Sequence, residues 1–448
     1  MEANDFMMLR KYPTSRQMLR RAGRKLGGLA RGACLVAALC GASIAQASPT
    51  PEELEARVRA LTEQLQALQA EVAAMKAAPT ADAAAQAQAS TLTQASTPAP
   101  AEPALSWFGY GEATYTRPEH GTATADLARF VLGASYRFDE RTRFVSELEI
   151  EHAVSSADDA GEVEVEQAYV ERAFGAHLYG RAGLMLIPLG LLNETHEPTR
   201  YYGVQRNGVE TAIIPTTWRE GGIALEGRSD GGWRWNLGLT TGFDLSKWDA
   251  ASGEGLESPL GAIHQELSGA RAADLSGFAA VNYTGVPGLR AGAGVFAGGV
   301  GQDQPGLASA SMSLWEAHVR WTPGDFSLAG LYARGHISGT TALNRSFIGL
   351  PTPVPADFDG WYAEAAWRGL RFGTSVLAPF LRYERYNTAA GYATLAPGLT
   401  PQPLAATRVW IGGLNYDITE GVVVKADYLD QRGPAPTRRL DLGLGYAF

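Results

Sequence analysis

From Ser106 to Phe448 the chain repeats one pattern: segments of about ten residues alternate in polarity, parted by clusters of Gly, Pro, Asp and Asn. In 126–138, Phe130, Leu132, Ala134, Tyr136 and Phe138 share one face, and Arg129, Gly133, Ser135 and Arg137 the other. In 312–322, Trp315, Ala317, Val319 and Trp321 oppose Glu316, His318 and Arg320. The final segment sets Leu440, Leu442, Leu444, Tyr446 and Phe448 against Arg439, Asp441, Gly443 and Gly445. A period of two is the period of a strand, so the region reads as all-β.

Such alternation fits a soluble sandwich, which buries its apolar face, or a transmembrane barrel, which turns that face to lipid and the polar face to a lumen. The barrel is favoured. The polar faces are charged and glycine-rich, as a wet lumen requires. Aromatics gather near strand ends (Trp107, Phe108, Tyr110; Trp233, Trp235; Trp361, Tyr362, Trp367), as interfacial girdles do. The chain ends on a strand closing with Phe448, which resembles the end signal of outer-membrane barrels. Sixteen segments can be counted, beginning near 106, 126, 142, 162, 176, 219, 233, 275, 288, 312, 325, 358, 376, 406, 421 and 437. The number is even, as in single-chain bacterial barrels, and large enough for an open lumen.

Residues 1–47 differ in kind. A basic stretch runs into a short apolar one ending in Ala45-Gln46-Ala47, an export signal with cleavage before Ser48; Met18 is an alternative start. Eight of the 38 Lys and Arg and two of the 47 acids lie in this stretch, so the remainder carries a net charge of −15. That charge argues against a nucleic-acid partner. Both cysteines, Cys34 and Cys40, also lie there, which removes thiol catalysis, disulfides and cysteine-bound metals from the rest. Leu54, Val58, Leu61, Leu65, Leu68, Val72 and Met75 then form a heptad seam, predicting a short coiled-coil helix over 48–78, or one amphipathic helix lying on its own domain. Residues 79–105 read as an Ala/Pro/Thr-rich linker and 106–448 as the barrel.

Alternation stops over 188–218, yet this stretch is rich in large apolar residues, which predicts an ordered loop folded into the lumen as a constriction. Its bases, Arg200 and Arg206, with Arg219 just beyond, are candidates for a cationic face; Glu194, Glu197 and Glu210 are candidates for the opposing one. A wall of charge is expected from Glu147, Glu149, Glu151, Glu164 and Glu166 on two consecutive strands, with Arg129, Arg143 and Arg181 nearby. It would sort solutes by a transverse field, or would be a solvated wall of self-compensating charges.

Residues 180–227, with Pro-Leu-Gly after a strand, Asn-Glu-Thr-His-Glu-Pro and Trp-Arg-Glu-Gly-Gly, together with EVEQAYVER at 164–172, resemble the phosphate-selective porins O and P. The resemblance implies a homotrimer of sixteen-stranded channels in the outer membrane of a Gram-negative bacterium. It also implies this loop inside each pore and arginines at the constriction, with Arg200, Arg206 and Arg219 the matching positions. Phosphate-binding members of that family line the constriction with arginines and lysines; here only Lys76, Lys247 and Lys425 remain after the signal and the remainder is acidic overall, a departure from that pattern.

Catalysis is not expected. No H-x-x-x-H or H-E-x-x-H spacing points to zinc, and no cofactor loop precedes a helix. Ser313 and His318 lie on opposite faces of one strand. The expectation is a passive porin for small hydrophilic solutes or anions such as phosphate. The competing reading is a structural or adhesion barrel whose coil contacts the cell wall.

Overall fold

The computed structural model describes residues 104–156, 161–307 and 309–448; the expected signal segment 1–47, heptad helix 48–78 and nearly all of the linker 79–105 lie outside them. The described strands are β1 (Leu105–Pro118), β2 (Thr124–Arg137), β3 (Thr142–Glu151), β4 (Val163–Ala173), β5 (Leu178–Leu186), β6 (Arg219–Arg228), β7 (Trp233–Thr240), β8 (Ser276–Tyr283) and β9 (Leu289–Gly299). They continue as β10 (Ser311–Trp321), β11 (Phe326–Ser338), β12 (Asp357–Trp367), β13 (Leu370–Phe372), β14 (Ser375–Gly391), β15 (Thr407–Thr419), β16 (Val422–Arg432) and β17 (Thr437–Ala447). Each pairs antiparallel with its neighbours, and β1 pairs with both β2 and β17, closing the ring. The three-residue β13 and β12 both pair with β14, so they are two pieces of one stave, and the barrel has sixteen staves.

Alternation sets the outward face. Ile223, Leu237, Leu381 and Trp410 are each at least half exposed and point away from the lumen. In water so much open apolar surface would drive aggregation, but against hydrocarbon it is the solvent-matched side. Strands β10, β12 and β15 each carry two outward aromatics six residues apart (Trp315 and Trp321, Trp361 and Trp367, Trp410 and Tyr416), about 20 Å along a strand. Among the described residues no helix is long and apolar enough to cross a membrane; the closed ring satisfies every spanning backbone group instead. One rim has short turns (138–141, 174–177, 229–232, 322–325, 420–421), and the other carries long connections (187–218, 241–275, 339–356, 392–406). Short turns mark the periplasmic rim and long loops the outer one.

Two expectations are corrected here. Tyr110 and Tyr362 belong to no girdle: both are buried on the lumen side. Nor is the lumen wet throughout. The inner faces of β8 to β12 carry Phe278, Phe296, Met312, Leu314, Leu331 and Phe358, all buried in one apolar cluster. Residues of the 187–218 loop (Ile187, Leu189, Ile213, Trp218) and of the 241–275 loop (Phe243, Leu245, Trp248, Ile263) fill that cluster. The second loop was not singled out from the sequence. Burying side chains of this size inside an aqueous pore contributes about 1.5–3 kcal/mol each.

Candidate functional site

The loop between β5 and β6 is fastened at both ends of its path. At its start, Asn193 bridges the two limbs: Nδ2 donates to Ile187 O (2.7 Å) and Trp218 O (2.8 Å), while Oδ1 accepts from Trp218 N (2.7 Å). Glu210 is buried, and its carboxylate accepts from Leu191 N, Leu192 N, Asn207 Nδ2 and the Tyr362 hydroxyl, all within 2.9 Å. Gly190 lies against it at φ +80°, where a Cβ would stand 2.5 Å from Glu210 Oε1, so only glycine fits the turn.

The middle of the loop reaches the far wall. Val204 N donates to Asp427 Oδ2 (2.6 Å), Gly203 N to Asn415 Oδ1 (3.2 Å) and Gly208 N to Glu384 Oε2 (2.7 Å). Lys425 Nζ donates to Gly203 O (2.8 Å) and sits 3.7 Å from the centre of the Tyr201 ring. Arg382 is buried against Glu384 (2.6 Å) and Glu364 (3.1 Å), and it donates to Tyr202 O and Gln205 O. Counting β12 and β13 as one stave, β14 is the thirteenth of sixteen, eight from β5 and therefore opposite it. The loop crosses the lumen.

A third anchor lies on β1 to β4. The Tyr201 hydroxyl donates to Glu112 Oε2 (2.9 Å), and burial followed by the Glu112 charge pushes its pKa well above the usual tyrosine value, so it stays a donor. His196 touches Tyr110 and Glu166. Burial opposes a charge on its ring, but the Glu166 hydrogen bond and charge outweigh this and raise its pKa. A register shift opposite Glu147 and Leu148 leaves Glu166 as the extra residue of a bulge in β4, and it is fully buried.

The expected site residues separate accordingly. Glu147, Glu149 and Glu166 are brought together, with Glu149 directly opposite Glu164, but beneath the loop and out of water instead of on a solvated wall. Glu151 is half-buried at the end of β3. Arg129 pairs with Glu112 at 2.8 Å. Arg143 and Arg181 both grip Glu171 (2.7 and 2.8 Å), and Arg181 also reaches Glu226 (3.2 Å). Glu194 joins this network through Arg234, with contacts of 2.7 and 3.1 Å. Glu197 is half-buried with its Oε2 unpaired. Neither Arg219 nor Glu210 faces the open lumen: Arg219 is buried between Glu164 (2.5 Å) and Glu266 (2.8 Å).

Arg206 and Arg200 do face open space, on opposite sides of the loop. Arg206 lines a cavity of about 340 Å³ with Arg129, Gln431 and Arg439, residues toward the outer rim. Its Nη1 donates to the Thr216 and Thr217 hydroxyls, while Nε and Nη2 are buried and have no hydrogen-bond partner. Arg200 is exposed and lines a smaller cavity of about 90 Å³ with Arg320 and Arg368, toward the periplasmic rim. Arg368 pairs with Asp417 at 2.7 Å; Arg200, Arg206 and Arg320 form no ion pair among the described residues. Sequence reasoning missed Arg320, Arg368 and Arg439. The alternation of β10 does place Arg320 on the inner face, but nothing in sequence says which inner arginines the loop leaves uncovered.

The molecule has known likenesses. No family model matches the chain. An uncharacterized protein of Aquifex aeolicus (strain VF5) is 31% identical over 333 residues, covering 72% of this chain and 74% of its own. The chain belongs to that protein's family. Among solved structures, Salmonella typhi OmpF in complex with daunomycin aligns with a TM-score of 0.54 at 12% identity, over 77% of this chain and 97% of its own. The outer membrane channel DcaP of Acinetobacter baumannii aligns with a TM-score of 0.51 at 11% identity, over 77% and 97%. At such identities the shared property is the fold. A closed sixteen-stave barrel with an apolar exterior is a membrane barrel of the outer-membrane kind, and the chain resides in the outer membrane of a Gram-negative cell.

Proposed function

We propose that the protein is a passive porin, narrowed by the 187–218 loop, which passes small hydrophilic solutes and prefers anions. The observation that carries this reading is the distribution of unpaired charge. Glu210 and Glu194 are spent on backbone and arginine partners, which leaves Glu197 as the loop's one acid with an unpaired oxygen, whereas Arg206 on one side and Arg200 with Arg320 on the other form no ion pair among the described residues. Arginines on successive sides of a narrow, low-dielectric passage attract anions and offer bidentate geometry to oxyanions, phosphate among them. The resemblance of 180–227 to the phosphate-selective porins supports the same class and a homotrimeric assembly. Catalysis has no part in it.

Planar-bilayer recording tests the reading. Purified protein should insert with stepwise conductance and a reversal potential on the anion side in a salt gradient. Arg200→Ala with Arg206→Ala should move that potential toward cations. Silence over many insertions would refute the channel, and an unmoved potential would refute the assignment of these arginines. Phosphate in place of chloride on one side then reads the oxyanion preference directly.

A further inference from the structure

Beneath the loop, four elements converge on a pocket with too many acceptors. Glu147 from β3, Glu166 from β4 and His196 from the loop each present one ligand atom, all within 4.8 Å of one another, and all three are buried. Glu147 Oε2, Glu149 Oε1 and Glu166 Oε1 have no hydrogen-bond partner, and Glu166 is 0% exposed. His196 Nδ1 lies 2.9 Å from Asn193 O, a group that only accepts, so Nδ1 donates there and Nε2 faces Glu166 Oε1 at 3.5 Å, the place for a proton or a metal ion between them. The Tyr110 hydroxyl stands 2.6 Å from that Nε2 and donates to Glu166 Oε2 at 2.9 Å, which leaves Glu166 Oε1 and Glu147 Oε2 without a donor. The nearest arginine, Arg129, is committed to Glu112 at 2.8 Å and reaches Glu149 only at 3.9 Å. Buried carboxylates without donors are costly unless a cation neutralises them.

We propose that Glu147, Glu166 and His196 form a binding site for a divalent transition-metal cation that clamps the 187–218 loop to the β3–β4 wall. One imidazole with carboxylates is a borderline donor set, suited to zinc or manganese and poorer for calcium or magnesium, which take oxygen alone. The second shell is in place: Asn193 O fixes the imidazole tautomer, and Tyr110 donates to Glu166. The β4 bulge that aims Glu166 here is the kind of irregularity strands adopt where a side chain must be redirected. No sequence spacing announces such a site, because its ligands come from two strands and a loop. The site does not rest on the channel reading, since a barrel of any function would hold its loop this way.

The test uses the full-length folded protein, freed of metal with a chelator and titrated with zinc at neutral pH. The bound metal is read by elemental analysis, and cobalt(II) serves as a visible-absorbing substitute. Folding is checked by heat-modifiable migration on gels. One equivalent of zinc should bind, and cobalt should give ligand-field bands. His196→Gln should weaken zinc at least ~10-fold and shift or erase those bands, and the milder Glu147→Gln should weaken it too. His318→Gln is the control, because His318 pairs with Glu316 (2.8 Å) on β10 and should leave binding unchanged. Absence of stoichiometric binding by folded wild-type protein would overturn the site and leave a proton on His196 as the neutralising charge. Equal binding by folded His196→Gln protein would overturn it as well.

Discussion

Arg206 and Glu210 sit four residues apart in one loop and have opposite fates. Glu210 serves four donors from three places and is lost to solutes, while Arg206 is held by two threonine hydroxyls and keeps unpaired N–H groups. Nothing local tells them apart. Both are charged residues in a non-alternating stretch, and their difference is decided by how the loop folds back on Glu210, through Leu191, Leu192 and Asn207, and by Tyr362 far along the chain. Removing each therefore gives a different signature. Arg206→Ala should leave stability near the wild-type value and shift the reversal potential toward cations, measured in a salt gradient. Glu210→Ala orphans two backbone N–H groups and two side chains at roughly 1–3 kcal/mol each. It should lower thermal stability by upwards of about 3 kcal/mol and make single-channel current noisy as the loop loosens, an effect checked by thermal unfolding in detergent and by noise analysis.

The strands were legible because their signal is local: a period of two survives whatever the neighbours do, and the segments read from it coincide with the sixteen staves. The loops were legible only in part. Apolar content marked 188–218 as ordered, but the same content in 241–275 (Phe243, Leu245, Trp248, Leu260, Ile263) drew no notice, although both feed one cluster. Their junction is Trp218, packed 4.5 Å from Phe296 and 5.3 Å from Phe243 between ring centres. Trp218→Ala should cost roughly 3–5 kcal/mol and raise protease sensitivity in both loops, checked by limited proteolysis of the folded protein. A pH effect belongs to this junction too. Glu266 loses solvation, but its bond to His264 and the charge of Arg219 prevail and hold its pKa below the ordinary value. The contact therefore contributes above the unfolded carboxyl pKa of about 4.3 and is lost as pH falls through the lower folded value. Cleavage within 241–275 should accelerate in acid below that range and not in mild alkali.

At the scale of the whole barrel, the anion preference proposed above would come from a field, and fields are screened. Anion preference should shrink as salt rises from about 0.1 M to about 1 M, because the screening length falls from about 10 Å to about 3 Å. Reversal potentials at matched gradient ratios check this; a preference unchanged by salt would point to direct coordination instead of long-range attraction. The crossing loop also bears on how the molecule is made. Val204 and Asp427 stand 223 residues apart in sequence, and Gly203 and Lys425 stand 222 apart. The loop's partners on β15 and β16 are thus among the last segments synthesised, and closing so long a span is entropically slow. The crossing of this barrel is finished after most of its wall: until β15 and β16 are in place, the amide groups of Gly203 and Val204 have no partners across the lumen, and an incomplete barrel leaves that segment open to proteases.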